Sequence, residues 1–129
     1  MKTNTLIVGA GIIGLAIARE ISTLGKEVIV LERHNRSGEE TSSRNSGVIH
    51  SGIYYPTESN KAVLCVEGNN LLYEYAKNRD IAHKNTGKIV VATTFEEIDR
   101  LEFLAQRGRD NNVEGLQILS ETEVKKLQK

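Results

Sequence analysis

The run Gly9-Ala10-Gly11-Ile12-Ile13-Gly14 constrains this chain more than any other stretch. Before it stands Thr5 to Val8, short, apolar and β-favouring, which reads as a buried strand. After it the pattern turns helical from Gly14 to Leu24, with Leu15, Ala18, Ile21 and Leu24 three apart. Gly25 marks the end of that helix, and Val28-Ile29-Val30-Leu31 reads as a second buried strand closing on Glu32. A strand, a glycine turn, a helix and a strand in this order make a βαβ unit, which belongs to an α/β sheet. The three glycines differ in what they allow. The first permits the tight turn, the second lets backbone approach a pyrophosphate, and the third lets helix pack on strand. The helix start offers N–H groups and about half a positive charge to an anion. Glu32, 18 positions after Gly14, stands where a carboxylate accepts hydrogen bonds from ribose hydroxyls and repels a 2′-phosphate. The spacing therefore points to a dinucleotide with a free 2′-hydroxyl and leaves FAD and NAD both open.

Charge narrows the partners. Seventeen basic and 17 acidic side chains among 129 residues give a formal net charge of zero, which disfavours nucleic acid as a partner. A single cysteine, Cys65, excludes an internal disulfide framework and a Cys-based zinc site, and no metal is expected. No window carries the run of about 18 or more apolar residues that a membrane-spanning helix needs. Met1 to Ala18 has a basic Lys2, an apolar run and Ala16-Ile17-Ala18, the outline of a secretion signal; Gly9, Gly11 and Gly14 inside the run argue against it.

Residues 33–52 are polar and poor in apolar anchors, the pattern of a functional loop. From about Ser59 to Arg79 the spacing of Val63, Val66, Leu71, Leu72 and Tyr75 predicts a long helix, weakened at Gly68. Lys88 to Thr93 is a β run after an Asn85-Thr86-Gly87 turn signal, and Leu116 to Leu119 reads as a last strand. Thr94 with Glu97, and Ser120 with Glu123, are capping boxes that open helices. The expected fold is α/β: a Rossmann-like βαβ unit, incomplete, followed by the start of an α+β domain. With one βαβ unit and a last helix that has hardly begun, the sequence reads as the amino-terminal part of a larger protein.

The first 32 residues resemble the opening of FAD-dependent oxidoreductases of the D-amino-acid oxidase and glycine oxidase superfamily. The block from Thr41 to Tyr55 is similar to the L-2-hydroxyglutarate dehydrogenase/oxidase family, as are Lys61 to Gly68, Leu71 to Tyr75 and Gly87 to Thr93. The resemblance implies FAD, with residues 1–80 the first segment of its domain and 81–129 the start of a substrate domain. It implies a cofactor-binding set of Gly9, Gly11, Gly14, Glu32, Arg33, Thr41, Ser42, Ser43, Asn45, Ser46 and Gly47. Thr41, Ser42 and Ser43 are expected along the cofactor, with Asn45, Ser46 and Gly47 nearer the isoalloxazine. Short hydroxyl side chains and backbone N–H groups suit phosphate oxygens.

The reaction implied is oxidation of L-2-hydroxyglutarate to 2-oxoglutarate, with hydride passing to the flavin and a base taking the hydroxyl proton. His50 is the candidate base, because histidine titrates near working pH. Tyr54, Tyr55 and Lys61 are candidates for the substrate side, and Arg44 shares with Lys61 the cationic character that a dicarboxylate needs. His34 and His83 read as surface residues, and Cys65 as a small buried hydrophobe. The implied partners are a small 2-hydroxy acid and an electron acceptor, quinone or oxygen. The location implied is cytoplasmic or peripheral to a membrane. A flavoenzyme for an amino acid or glycerol 3-phosphate, and a non-catalytic fragment, are the alternatives. The 129 residues alone are expected not to turn over substrate.

Overall fold

The computed structural model describes residues 3–127 and has the element order β1 (Leu6–Val8), α1 (Ile12–Thr23), β2 (Ile29–Leu31), α2 (Asn60–Asn78), α3 (Phe95–Asp110) and α4 (Glu121–Leu127), with a 3-10 turn at Glu40–Ser43. The chain divides between Val48 and Ile49 into two compact units.

The first unit is the βαβ element. Strands β1 and β2 are parallel, with Leu6 opposite Ile29, Ile7 opposite Val30 and Val8 opposite Leu31. The ladder runs on at both ends: Ile29 N donates to Thr5 O at 3.0 Å and Gly9 N to Leu31 O at 2.7 Å. Between the strands the chain turns sharply at Gly9, whose φ of +101° is unfavourable for any side-chain-bearing residue. Helix α1 begins at Ile12, two residues before the apolar spacing suggests, because Gly11 already serves as its N-cap. It stops where expected, with Gly25 N donating to Ser22 O at 2.9 Å. Ala10 is buried beneath the turn, whereas Val8 and Ile13 are 83% and 73% exposed.

The second unit is built on helices. Ser59 caps α2 by accepting from Ala62 N at 3.1 Å, and α2 runs unbroken through Gly68. The Thr94–Glu97 capping box forms at the start of α3 with both reciprocal bonds present. Ser120 and Glu123 exchange the equivalent bonds at α4, at 2.7 and 3.4 Å. Ala62 and Ala76 of α2 are buried, as are Gly108 and Asn111 at the end of α3.

Two expected strands do not form: residues 88–93 and 116–119 are irregular in the described structure. An apolar run becomes a strand only if a neighbour offers a hydrogen-bonding edge. Among the described residues neither run has one. Leu116 instead lies over α3, so close that a Cβ at Gly108 would meet its Cδ1 at 2.5 Å. Lys88 directs its ammonium over the Tyr54 ring at 4.6 Å. Cys65 is half-buried, less enclosed than expected.

Candidate functional site

In the first unit the glycine turn, the end of β2 and the polar loop face a cavity of about 370 Å³, bordered by Gly9, Gly11, Glu32, Arg33, Thr41 and Ser42 among others. That volume is within the range of small-molecule sites. Two glycines keep the cradle open. A Cβ on Gly14 would lie 2.1 Å from the Gly9 carbonyl oxygen, so only glycine lets helix and turn approach this closely. A Cβ on Gly11 would stand 3.1 Å from Ser42 Oγ, in the space toward the polar loop.

Glu32 does more than its position alone reveals. Its Oε2 accepts from Ala10 N at 2.7 Å and its Oε1 from His34 N at 2.9 Å, so the carboxylate ties the glycine turn to the end of β2. These amides, His34 first and Ala10 next, hold its carboxyl below the ordinary value of 4.5. Each carboxylate oxygen retains acceptor capacity for a ribose hydroxyl. Ser42 accepts from Ile12 N at 2.9 Å, supplying α1 with the side-chain cap that Gly11 lacks. Ser43 bonds back to Glu40 O at 2.9 Å. Asn45 closes its own turn, donating to Ser42 O at 3.0 Å and accepting from Gly47 N at 2.8 Å, and Ser46 is exposed beside it.

Arg33 pairs with Glu40, which also meets His34 Nε2 at 2.6 Å. The hydrogen bond from His34, then that from Arg33, holds the Glu40 carboxyl below its ordinary value. His34 is exposed, as expected, and shares the Glu40 carboxylate with Arg33. A second open cavity of about 840 Å³ continues past Glu39, Glu40, Thr41, Ser43 and Arg44. The residues present fit the ADP half of a dinucleotide: an open glycine bend at a helix start, hydroxyls beside it, and an ionised carboxylate at the strand end.

In the second unit His50, Tyr55 and Lys61 meet. His50 Nδ1 is 3.1 Å from the Tyr55 hydroxyl, and Lys61 Nζ is 4.6 Å from the centre of the Tyr55 ring. Tyr54 faces Lys88, and its carbonyl oxygen accepts from Arg107 at 3.4 Å. Sequence reasoning missed Asn69 and Asn111. Asn69 donates to His50 O at 2.8 Å; Asn111 donates to Gly52 O at 3.0 Å and Tyr55 O at 2.9 Å. No local signal marks either residue, since their partners lie far away in sequence. Among the described residues, no group of three His, Cys, Asp or Glu side chains is arranged to hold a metal ion.

Residues 4–129 match the family model described as FAD dependent oxidoreductase. The chain belongs to the FAD-dependent oxidoreductase family. Within that family it is 46% identical over 127 residues to the mitochondrial L-2-hydroxyglutarate dehydrogenase of Arabidopsis thaliana, covering 98% of this chain and 26% of that protein. The mitochondrial L-2-hydroxyglutarate dehydrogenase of Homo sapiens is 46% identical over 125 residues, 95% of this chain and 27% of that one. The dithionite-reduced L-alpha-glycerophosphate oxidase of Mycoplasma pneumoniae, a structure with FAD bound, superposes with a TM-score of 0.73 at 36% identity, over 98% of this chain and 34% of that one. This FAD-dependent oxidoreductase chain therefore spans between a quarter and a third of the length of these relatives. The family is described by FAD as its cofactor and oxidoreduction as its chemistry.

Replacing Glu32 with glutamine is expected to weaken FAD binding about 10- to 100-fold, the worth of a charged acceptor bond. Because the Glu32 carboxyl lies below 4.5 in the folded chain, its stabilising contribution is complete above that value. It is lost as the pH falls through the lowered folded value. Denaturant unfolding followed against pH should show this acid limb in the parent chain and not in Glu32→Gln; matching acid limbs would refute the part given to the carboxylate.

Proposed function

We propose that this sequence forms the nucleotide-gripping and proton-accepting part of an FAD-dependent enzyme that oxidises L-2-hydroxyglutarate to 2-oxoglutarate. The observation that carries this reading is the 46% identity to L-2-hydroxyglutarate dehydrogenases, maintained over nearly the whole chain. Residues 1–80 belong in this reading to the FAD-binding domain and 81–129 to the start of the substrate domain. Gly9, Gly11 and Gly14 admit the pyrophosphate to the start of α1. Glu32 takes the ribose hydroxyls, with Arg33 beside it. Thr41, Ser42, Ser43, Asn45, Ser46 and Gly47 line the cofactor along the polar loop.

Bound FAD supplies the acceptor for the hydride that leaves C2 of the substrate. The protein's own share is to bind, orient and deprotonate. His50 accepts the hydroxyl proton as the alcohol becomes a ketone. Lys61 offers a cation to a substrate carboxylate, and Tyr54 and Tyr55 shape the surface beside His50. The substrate is a small 2-hydroxy acid, and the electron acceptor is quinone or oxygen. We place the protein in the cytoplasm, with peripheral membrane association as the alternative. Among the described residues no helix is long and apolar enough to cross a membrane, and the plant and human relatives are mitochondrial by name.

A second reading, oxidation of glycerol 3-phosphate, is favoured by the likeness to the Mycoplasma oxidase. Both substrates are anions bearing a secondary alcohol, so one cradle and one base suit either. The test is dye reduction by the FAD-loaded polypeptide that carries this sequence. L-2-hydroxyglutarate should show a kcat/KM at least ~100-fold above those of glycerol 3-phosphate, D-2-hydroxyglutarate and amino acids. Preference for glycerol 3-phosphate would select the second reading, and preference for an amino acid would overturn both.

A further inference from the structure

The loop that carries His50 is held more tightly than its exposure suggests. Asn69, on α2, grips the His50 carbonyl oxygen at 2.8 Å. Asn111, just past the end of α3 and only 6% exposed, grips the Gly52 and Tyr55 carbonyl oxygens at 3.0 and 2.9 Å. The Asn111 Oδ1 is itself buried without a hydrogen-bond partner. An unpaired buried carbonyl is unfavourable, so the value of this side chain lies in its amino group, which presents two uncharged donors to one loop. Lys61 covers one face of the Tyr55 ring at 4.6 Å. The outcome is a fixed separation of 3.1 Å between His50 Nδ1 and the Tyr55 hydroxyl.

The 3.1 Å contact admits donation in either direction, and that direction sets which imidazole nitrogen is available. A neutral imidazole has one proton for two nitrogens, and the partner of one nitrogen sets the state of the other. Were the phenol to donate to Nδ1, the ring proton would sit on Nε2 and could not be joined there by the proton of a substrate hydroxyl. With the Nδ1 proton donated to the phenolic oxygen, Nε2 keeps its lone pair. We propose that Tyr55 is a positioning residue that holds His50 in the Nδ1–H tautomer, with Asn69 and Asn111 keeping the two side chains in register. This rests on the reading of His50 as the base. In the reaction, Nε2 would take the hydroxyl proton while the Nδ1 proton stays hydrogen-bonded to Tyr55, and bound FAD would supply the acceptor for the C2 hydride.

Nitrogen-15 NMR of the histidine rings tests this in the 129-residue chain, about 1.5 units above the ordinary imidazole pKa of ~6.5. His50 should be protonated on Nδ1, and Tyr55→Phe, which keeps the ring and the backbone carbonyl, should move more than about half of the population to Nε2–H. A parent chain with the proton on Nε2, or a tautomer unchanged in Tyr55→Phe, would overturn the role of Tyr55. The parent measurement decides even if the variant does not fold. In the FAD-loaded polypeptide that carries this sequence, Tyr55→Phe should lower kcat about tenfold and leave KM within about twofold. His50→Gln should lower kcat by about 100-fold or more. Undiminished turnover by His50→Gln would instead remove the base reading, whatever the tautomer.

Discussion

Gly14→Ala is expected to abolish FAD binding if the glycine bend of the first unit is the cradle proposed for it. The added methyl carbon would be placed 2.1 Å from the Gly9 carbonyl oxygen and 3.3 Å from Ile7 Cγ2. The turn cannot yield by rotating a side chain, because the nearer atom is the Gly9 backbone oxygen. Relief requires α1 to move away from the turn by about an ångström, which separates the helix start from the amides it presents beside the cavity. Overpacking of this kind costs about 1–3 kcal/mol and sometimes more. We expect the upper end here, with FAD affinity falling at least ~100-fold. Gly11→Ala is the control: its methyl meets the rotatable Ser42 hydroxyl at 3.1 Å, so the fold should survive while FAD binding weakens. Denaturant unfolding and flavin fluorescence titration read the two effects separately. A Gly14→Ala chain binding FAD within about threefold of the parent would show that the bend is not the cradle.

Asn111→Ala should be the most damaging single change in the second unit. It removes both N–H donors from the Gly52 and Tyr55 carbonyl oxygens, so the part-buried Tyr55 oxygen loses its Asn111 bond and the buried Gly52 oxygen keeps only the longer bond from Tyr55 N at 3.3 Å. Such a loss costs about 1–3 kcal/mol, reduced by removal of the already unpaired Oδ1. The net expectation is about 2 kcal/mol from denaturant unfolding, with faster amide exchange concentrated between residues 50 and 56. A cost under about 0.5 kcal/mol, with exchange unchanged in that loop, would mean that other contacts hold it.

The first unit is largely legible in the sequence because its information is local. Apolar runs, three glycines and a terminal acid lie within one short stretch, and each acts on its immediate neighbours. Ser120 and Thr94 are legible for the same reason, since a capping box is complete within four residues. The runs at 88–93 and 116–119 mislead because a strand is a property of two segments. Their side chains find Tyr54 and α3 instead of a sheet edge. His34 is exposed as its surroundings suggest, but its pairing with Glu40 is not legible, because Glu40 reaches it only through the 3-10 turn of the loop.

By itself the amino-acid sequence determined the βαβ order, the glycine bend and the capping boxes at which α3 and α4 start, all consequences of neighbours in the chain. Only the tertiary structure decided that the Glu32 carboxylate fastens the bend it serves, that Ser42 caps a helix 30 residues away, and that Asn111 sets the loop of His50 and Tyr55 from 56 and 59 residues away. Hydrogen bonds of about 3 Å between distant residues depend on where folding brings their backbones, and no local periodicity records that.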